Sequence, residues 1–154
     1  MTFHIVLVEP EIPANTGNIA RTCAATGTYL HLVQPLGFQI NDKTLKRAGL
    51  DYWDSVQIAY HDSLDEVLTA YHQHRFFFAT TKAVKRYTDF TFQDNDFFVF
   101  GKETKGLAPE IIEAHPDSIM RLPMASEIRS LNLSNSVAII LYEGLRQMQF
   151  SGLQ

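Results

Sequence analysis

Residues that could bind or position a polar ligand are concentrated in three short segments of the sequence. They are NTGNIAR at 15–21, FVFGKETKGL at 98–107 and IRSLNLSNSVAI at 128–139. Each segment combines glycine, asparagine or serine with one or two charged residues, which is typical of ligand-binding loops on a rigid scaffold. The neutral donors and acceptors of the third segment suit an adenine edge, a ribose or a carboxylate.

Arg21 is the residue of the first segment that a purely structural role explains least well. It lies near the start of a predicted helix, where a positive charge gains nothing from the helix dipole. Its position therefore indicates an anionic partner, either a carboxylate or a phosphate. Asn15 and Asn18 have a simpler explanation, because asparagine commonly ends a strand or caps a helix.

The glycine spacing of the second segment is similar to that of a phosphate-binding loop, but the following residues differ. Gly106 is followed by Leu107 and Ala108, where a P-loop requires lysine and then serine or threonine. No GxGxxG pattern follows the first predicted strand, so a dinucleotide cofactor has little support. Gly101 would let a ligand approach the backbone closely. The alternative is a strand end that carries surface charges.

Apolar runs and helical periodicities predict the elements that position these segments. Strands are expected at 3–8, 29–33, 56–60, 75–79, 96–100 and 118–122, with a loop and a possible short strand between the fourth and fifth. Helices are expected between Gly17 and Gly27, from Asp42 to Ala48, after a Ser63–Glu66 capping box, from Pro109 to Ala114, and from Ser134 or Asn135 to Met148.

The alternation of strands and helices predicts the α/β class, with a parallel sheet flanked by helices. All three segments begin at carboxyl ends of predicted strands, where such sheets bind ligands. A chain of 154 residues with 45% hydrophobic and 19% charged residues is expected to form a single domain, 1–154. The apolar runs are too short to span a bilayer, and Cys23 is the only cysteine. We therefore expect a soluble, cytoplasmic protein.

Taken together, the three segments resemble the motifs of the SPOUT class of RNA methyltransferases. The opening IVLVEPEIPANTGNIAR and the closing RSLNLSNSVAI are similar to the TrmL family of tRNA 2′-O-methyltransferases, and the similarity extends over about residues 3–147. This resemblance implies a SPOUT-type fold with a C-terminal deep trefoil knot. It also implies S-adenosylmethionine as cofactor, no metal, and methylation of the wobble cytidine or uridine of leucine tRNAs.

The resemblance also implies roles for particular residues. The expected catalytic residues are Arg21, Asn15, Glu103 and Asn132. The expected cofactor-binding residues are Ala79, Gly101, Leu122 and Ser130. A guanidinium stays protonated in proteins, so we expect Arg21 to position the substrate, with a phosphate oxygen, Glu103 or water accepting the proton.

The formal charge of −4 is unusual for a protein expected to bind tRNA, because Lys and Arg supply most of the affinity for phosphates. Basic residues cluster locally, at Lys43, Lys46 and Arg47 and at Lys82, Lys85 and Arg86. We expect these clusters to make RNA binding salt-sensitive; the alternative is that they are solvated surfaces. The helix from Asn135 to Met148 is apolar on more than one face, which predicts a homodimer.

Several other residues are assigned no role in catalysis. His72 and His74 have no third metal ligand nearby, and Cys23 has the position of a small core residue. Trp53 is expected to pack in the core or an interface, although it and Tyr52 could stack on a base. Two alternative functions are methylation of another tRNA or rRNA position and RNA binding without catalysis.

Overall fold

Short, mostly apolar segments form the strands of a six-stranded sheet in which every neighbouring pair is parallel. The computed structural model describes residues 2–40, 43, 47 and 50–154. The strands are β1 (His4–Val8), β2 (Tyr29–Val33), β3 (Ile58–His61), β4 (Phe76–Ala79), β5 (Phe97–Phe100) and β6 (Ile119–Met120). Their order in the sheet is β3-β2-β1-β5-β4-β6. The predicted parallel α/β sheet is confirmed.

Helices cover both faces of this sheet. They are α1 (Pro13–Thr26), α2 (Leu64–Ala70), α3 (Pro109–Ala114) and α4 (Leu133–Gln147), with short 3-10 helices at Leu50–Ser55 and Tyr87–Asp89. Successive residues of a strand point to opposite faces, so β1 contributes Ile5 and Leu7 to one core cluster and Val6 and Val8 to the other. Because both faces are buried, the strands are apolar at consecutive positions.

Helix α1 begins earlier than the sequence predicts. We expected a loop through Gly17, but the helix starts at Pro13, and Asn15 lies buried in its first turn. Proline suits the first helical position because its missing N–H has no intrahelical partner there. Ile12 at the N-cap supplies no side-chain cap. The capping interpretation of Asn15 and Asn18 is therefore wrong.

Helix α4 also begins before the predicted residues. Its N-cap is Asn132, whose Oδ1 accepts hydrogen bonds from the backbone amides of Ser134 (2.9 Å) and Asn135 (3.2 Å). The prediction of Ser134 or Asn135 as the cap is thus wrong by two or three residues. The Ser63 cap of α2 is confirmed by its bond from the Glu66 amide at 3.1 Å. Of the predicted helix 42–48, only Lys43 and Arg47 lie within the described residues.

Two further features bear on the excluded roles. In the described part of the chain, no helix combines the length and apolar character needed to cross a membrane. Cys23 is buried against the core, and burial raises the pKa of its thiol to about 12. The thiol is therefore neutral and packs as a small hydrophobic group.

Candidate active site

A cavity of about 470 Å³ opens at the carboxyl ends of β4, β5 and β6, beside the start of α1. Its walls combine residues from all three polar segments with the loops that follow β4 and β6. The lining residues are Ile12, Asn15, Ala79, Thr80, Thr81, Lys82, Phe100, Gly101, Lys102, Glu103, Thr104, Lys105, Gly106, Leu107, Ile112, Leu122, Met124, Arg129, Ser130, Leu131, Asn132, Leu133 and Ser136. A cavity of this size suits a small-molecule ligand.

The cavity brings together all but one of the site residues predicted from the sequence. Its walls contain Asn15, Ala79, Gly101, Glu103, Leu122, Ser130 and Asn132. Arg21 is the exception, and it lies elsewhere on α1. The geometry therefore groups these residues in one place, while their individual roles stay predictions.

A hydrogen-bond network joins the three polar segments at the cavity wall. Asn132 Nδ2 donates to Asn15 Oδ1 at 3.0 Å, and Asn15 Nδ2 donates to Glu103 Oε2 at 3.2 Å. A carboxylate can only accept, so Asn15 must present its amide nitrogen to Glu103 and its oxygen to Asn132. This leaves Asn132 Oδ1 free to cap α4. The orientation of Asn15 is thus set by groups from the other two segments, and that of Asn132 by Asn15 and the first amides of α4.

Glu103 holds the start of α1 in place. Besides the bond from Asn15, its carboxylate accepts from the backbone amides of Glu11 and Ile12, both at 2.8 Å. These amides precede the helix and have no intrahelical acceptor, and a negative charge is stabilising at a helix N-terminus. Both carboxylate oxygens therefore accept hydrogen bonds from residues at or just before the start of α1, and the catalytic role expected for Glu103 stays a prediction.

A second contact between the same two loops was missed by the sequence interpretation. Glu11 Oε1 accepts from the Thr104 hydroxyl (2.7 Å) and backbone amide (3.0 Å), and these bonds lower the pKa of the Glu11 carboxyl. Lys102 Nζ also lies 3.4 Å from Glu9 Oε1. The charged residues in the segment EPEIP gave a weak signal, but nothing local indicated partners about 90 residues away.

Gly101 is required by the close approach of two parts of the second segment. A Cβ atom built on Gly101 would overlap the backbone of Gly106 and Leu107. Gly106 itself has a φ of +67°, a left-handed conformation that favours glycine, and its amide bonds to the Lys102 carbonyl at 2.8 Å. The loop therefore turns back tightly and presents backbone atoms to the cavity.

The cavity has an apolar interior and a basic rim. Phe100, Leu107 and Leu122 are buried and line it. The cations that line it are Lys82, Lys102, Lys105 and Arg129. This division suits a ligand with an apolar or aromatic part and leaves the rim able to attract phosphates. Among the described residues, no cluster of His, Cys, Asp or Glu has an arrangement suited to a metal ion.

Arg21 lies on a different side of α1 from the cavity. It is six residues after Asn15, about 9 Å further along the helix and about 120° around it. Arg21 is exposed, and so is Ala25 one turn later, whereas Asn15 is buried. The guanidinium thus points away from the cavity of its own chain, on a face that includes Ala25.

Comparison with known proteins places this architecture in a family. Residues 2–142, most of the chain, match the SpoU rRNA Methylase family. The chain belongs to the SpoU family. Within it, a Methylovorus glucosotrophus (strain SIP3-4) protein named tRNA (cytidine(34)-2'-O)-methyltransferase is 52% identical over 151 residues, which cover 97% of this chain and 98% of the relative.

Solved structures agree with this assignment to the SpoU family. A structure described for the 2-OH methylation of C/U34 on tRNA superposes with a TM-score of 0.91 at 40% identity, covering 97% of each chain. The SpoU methyltransferase AviRb from Streptomyces viridochromogenes, in complex with AdoMet, has a TM-score of 0.84 at 25% identity. That match covers 97% of this chain and 58% of AviRb.

Proposed function

We propose that this SpoU family member methylates the ribose 2′-hydroxyl of the wobble nucleotide, cytidine or uridine 34, in tRNA. The observation that carries the proposal is the single cavity in which the three polar segments meet and are joined through Asn132, Asn15 and Glu103. The substrate follows from the relatives, since a protein 52% identical over nearly its whole length is named for cytidine 34 of tRNA.

The residues of the cavity fit S-adenosylmethionine. Leu107, Leu122 and Phe100 offer apolar surface for an adenine ring, and the turn at Gly101 and Gly106 offers backbone donors and acceptors. Ser130 adds a hydroxyl at the rim, and Lys102 and Lys105 add positive charge for a carboxylate. When bound, S-adenosylmethionine supplies an activated methyl group on a positively charged sulfur.

The methyl transfer requires the protein mainly to align the reacting groups and to allow the hydroxyl proton to leave. The bond from the ribose oxygen to the methyl carbon forms as the carbon–sulfur bond breaks, and the hydroxyl proton leaves. The enzyme must hold the oxygen in line with the methyl group and exclude competing water. We assign Arg21 to the RNA phosphate and hydroxyl, and Asn15, Glu103 and Asn132 to shaping the cavity wall.

The proton acceptor follows from the contacts of Glu103. Its two oxygens already accept three hydrogen bonds from Glu11, Ile12 and Asn15. Protonation of Glu103 would remove the negative charge that these three donors stabilise and would weaken its bonds to the start of α1. We therefore assign proton acceptance to a phosphate oxygen of the substrate or to water.

The proposal includes a homodimer whose interface lies next to the active site. On α4, Val137, Ile140 and Leu141 are buried in the chain's own core, whereas Ile139 (39%) and Tyr142 (45%) are exposed. Tyr142 and Phe150 line a surface hollow together with Ala25, which shares the exposed face of α1 with Arg21. Covering this surface with a second copy would place Arg21 at the boundary between subunits.

We predict a species of twice the 17.5 kDa chain mass in sedimentation at micromolar concentration. Tyr142→Glu should shift it to the monomer, because a charge in an apolar interface is costly. Gln73→Glu adds the same charge at an exposed position near the end of α2 and should leave the dimer intact. A wild-type monomer at these concentrations would contradict the prediction.

The finer fold assignment is also part of the proposal. We infer that the C-terminal segment forms a deep trefoil knot and that residues 1–154 form one cytoplasmic domain. Three observations support the knot. β6 lies at the sheet edge beside β4, and Asn132, which follows β6 in the chain, contacts Asn15 of α1. Helix α4 also packs closely on β5, since a Cβ on Gly144 would lie 3.2 Å from the Phe98 ring. The connection from β6 to α4 thus returns past the loop at 101–107.

Methylation of defined transcripts tests the proposed function. Purified protein, labelled S-adenosylmethionine and a set of tRNAs that includes leucine isoacceptors should give ribose methylation at nucleotide 34 alone. A matched transcript with a 2′-deoxy residue at position 34 should accept no label. Methylation of another position or of ribosomal RNA would assign a different substrate. Binding of tRNA without transfer would favour a non-enzymatic role.

Gly101→Ala is predicted to reduce S-adenosylmethionine affinity below detection in calorimetry. The added Cβ overlaps the backbone of Gly106 and Leu107, so the loop that lines the cavity must move. Gly27→Ala is the matched control, since Gly27 (φ +67°) caps α1 away from the cavity and has open space for a Cβ. That control should lower stability by about 1 kcal/mol and leave cofactor affinity unchanged. Normal affinity in Gly101→Ala would contradict the geometry.

RNA affinity is predicted to depend on salt through the loop after β4. Lys82, Lys85 and Arg86 are all exposed, and Lys82 also lines the cavity. Replacing the three with alanine should reduce the slope of log affinity against log salt by roughly 2 to 3. Lys43 and Arg47 are also exposed, so the triple that adds Lys46 provides a parallel measurement. An unchanged slope in both triples would identify them as solvated surfaces.

A further inference from the structure

Arg21 is stacked on an aromatic ring of its own chain. Its Cζ lies 4.9 Å from the centroid of the Tyr52 ring. The two residues come from different elements, α1 and the 3-10 helix Leu50–Ser55. Both are exposed, with Tyr52 at 39%. A cation within about 6 Å of a ring centroid is attracted to the ring face, and arginine also stacks flat on it.

Tyr52 is held firmly because the residues that follow it are anchored. Trp53 is partly buried against the main core. Val56 is buried, and its amide bonds to the Trp53 carbonyl at 3.3 Å. The 3-10 helix is therefore fixed to the sheet next to Tyr52, whose exposed ring offers a stable surface to Arg21.

This contact restricts the guanidinium without occupying its donors. A free arginine side chain loses rotamer entropy when it binds. A guanidinium that lies over a ring face forms no N–H hydrogen bond with a side-chain acceptor there, so its donors stay available for a phosphate. Within residues 2–40, 43, 47 and 50–154, Arg21 forms no hydrogen bond or ion pair that would compete. Among those residues, the Tyr52 ring is the group over which the Arg21 guanidinium lies.

We propose that Tyr52 is a positioning residue that holds the Arg21 guanidinium ready to engage the RNA at the reacting nucleotide. This inference rests on the proposed function, in which Arg21 contacts the substrate. In this proposal the exposed Tyr52 ring, from the sequence GLDYWDS at 49–55, positions Arg21 and does not stack on a base. Tyr52 acts through Arg21, so its effect should appear in turnover and vanish when Arg21 is absent.

A double-mutant cycle tests the proposal. Tyr52→Leu removes the aromatic face, Tyr52→Phe keeps it, and Tyr52→Gln is a second non-aromatic variant suited to an exposed site. Each is made in the wild-type and Arg21→Ala backgrounds. Methylation at nucleotide 34 is followed by single-turnover kinetics at saturating S-adenosylmethionine and tRNA, and steady-state kinetics over a range of tRNA concentrations give the KM for tRNA. Melting temperature and S-adenosylmethionine affinity are measured for every variant.

We expect Tyr52→Leu and Tyr52→Gln to lower the transfer rate about 10-fold, with Tyr52→Phe within about twofold of wild type. In the Arg21→Ala background, none of the three should lower the rate further. A wild-type rate for Tyr52→Leu would overturn the proposal. So would a loss that persists without Arg21 and appears mainly in the KM for tRNA, which would show direct base stacking.

The result for Arg21→Ala alone distinguishes failure of this inference from failure of the proposed function. If Arg21→Ala transfers methyl groups at the wild-type rate, the assignment of Arg21 to the substrate is wrong, and the role of Tyr52 falls with it. If Arg21→Ala is impaired and Tyr52→Leu is not, the proposed function stands and only the positioning role is overturned.

Discussion

Arg21→Ala should lower turnover by about 100-fold or more at saturating S-adenosylmethionine and tRNA, the scale expected when positioning or charge stabilisation of the reacting groups is lost. The affinity for S-adenosylmethionine should stay nearly unchanged, because Arg21 is absent from the cavity lining and points to another side of α1. Calorimetry with S-adenosylhomocysteine and steady-state kinetics measure the two effects separately.

Ser130→Ala should produce the opposite pattern. Ser130 lines the cavity at the rim, and loss of one hydrogen bond to the cofactor should weaken binding by about 0.5 to 2 kcal/mol. Turnover at saturating cofactor should change little. Thr22→Ala, which alters the residue next to Arg21 on α1, is the control for a nonspecific effect on that helix.

Dimerisation and melting must be measured for each of these variants, because a weakened interface would lower turnover by itself. Sedimentation at the assay concentration gives the oligomeric state directly. If Arg21→Ala lost cofactor affinity while turnover at saturation survived, Arg21 would belong to the cofactor site. The assignment of Arg21 to the substrate side would then be wrong.

The sheet could be predicted from sequence because its strands are buried on both faces. Residues such as Ile5, Val6, Leu7 and Val8 are apolar at consecutive positions, a pattern that distinguishes parallel strands from half-exposed ones. The same pattern predicted that the polar segments follow strands, but it did not predict that residues 15–21 lie within helix α1. The sheet order was not readable, because it depends on pairings between distant strands.

The starts of α1 and α4 were misplaced for different reasons. The acceptor at the start of α1 is Glu103, about 90 residues later, so the sequence around Pro13 shows no capping side chain. Asn132 was predicted as catalytic, yet it also caps α4 while its amide bonds to Asn15. The local sequence indicated a site role for Asn132 and did not indicate that the same side chain also caps α4.

A row of buried histidines was also missed, because its members belong to three different strands. His4, His31 and His61 are each at most 8% exposed, and they lie side by side on the sheet face that α2 covers. The only local signal was a histidine within or beside each of three predicted strands. No single segment contains two of them, so neither periodicity nor spacing could indicate that they meet.

The histidine row is continuous across β1, β2 and β3. His4 Nδ1 lies 3.0 Å from His31 Nε2, and His31 Nδ1 lies 3.0 Å from His61 Nε2. At the two ends of the row, His4 Nε2 lies 3.4 Å from Asn95 Oδ1, and His61 Nδ1 lies 3.4 Å from Glu66 Oε1. In each contact between two rings, the N–H of one ring donates a hydrogen bond to the unprotonated nitrogen of its neighbour. Protonating every ring would therefore set N–H groups against each other at hydrogen-bond distance.

Burial disfavours the charged form of these rings. The pKa of His4 is lowered to about 4, mainly by desolvation. Desolvation and, to a lesser extent, the neighbouring His4 and His61 lower the pKa of His31 to about 3. For His4, His74 opposes the charge, whereas Asn95 and Asp94 favour it. In the unfolded chain both rings have a pKa near 6.5. Between about pH 6.5 and pH 4, the unfolded state therefore binds more protons than the folded state.

Stability should consequently fall as the pH is lowered through this range. The free energy of unfolding increases with pH wherever the unfolded state holds more protons. We expect each of the two rings to contribute a loss on the order of 2 kcal/mol between pH 7.5 and pH 5, measured by urea unfolding. The Glu11 and Glu143 carboxyls, whose pKa values are lowered from 4.5, contribute only at lower pH.

His31→Gln tests whether the row is the source of this pH dependence. The variant removes the central ring and should be less stable at pH 7.5, because two contacts are lost, yet its stability should change less between pH 7.5 and pH 5. His72→Gln is the matched control, since His72 is exposed on the surface after α2. That variant should keep the wild-type pH dependence. An equal slope in wild type and His31→Gln would show that the acid sensitivity arises outside the histidine row.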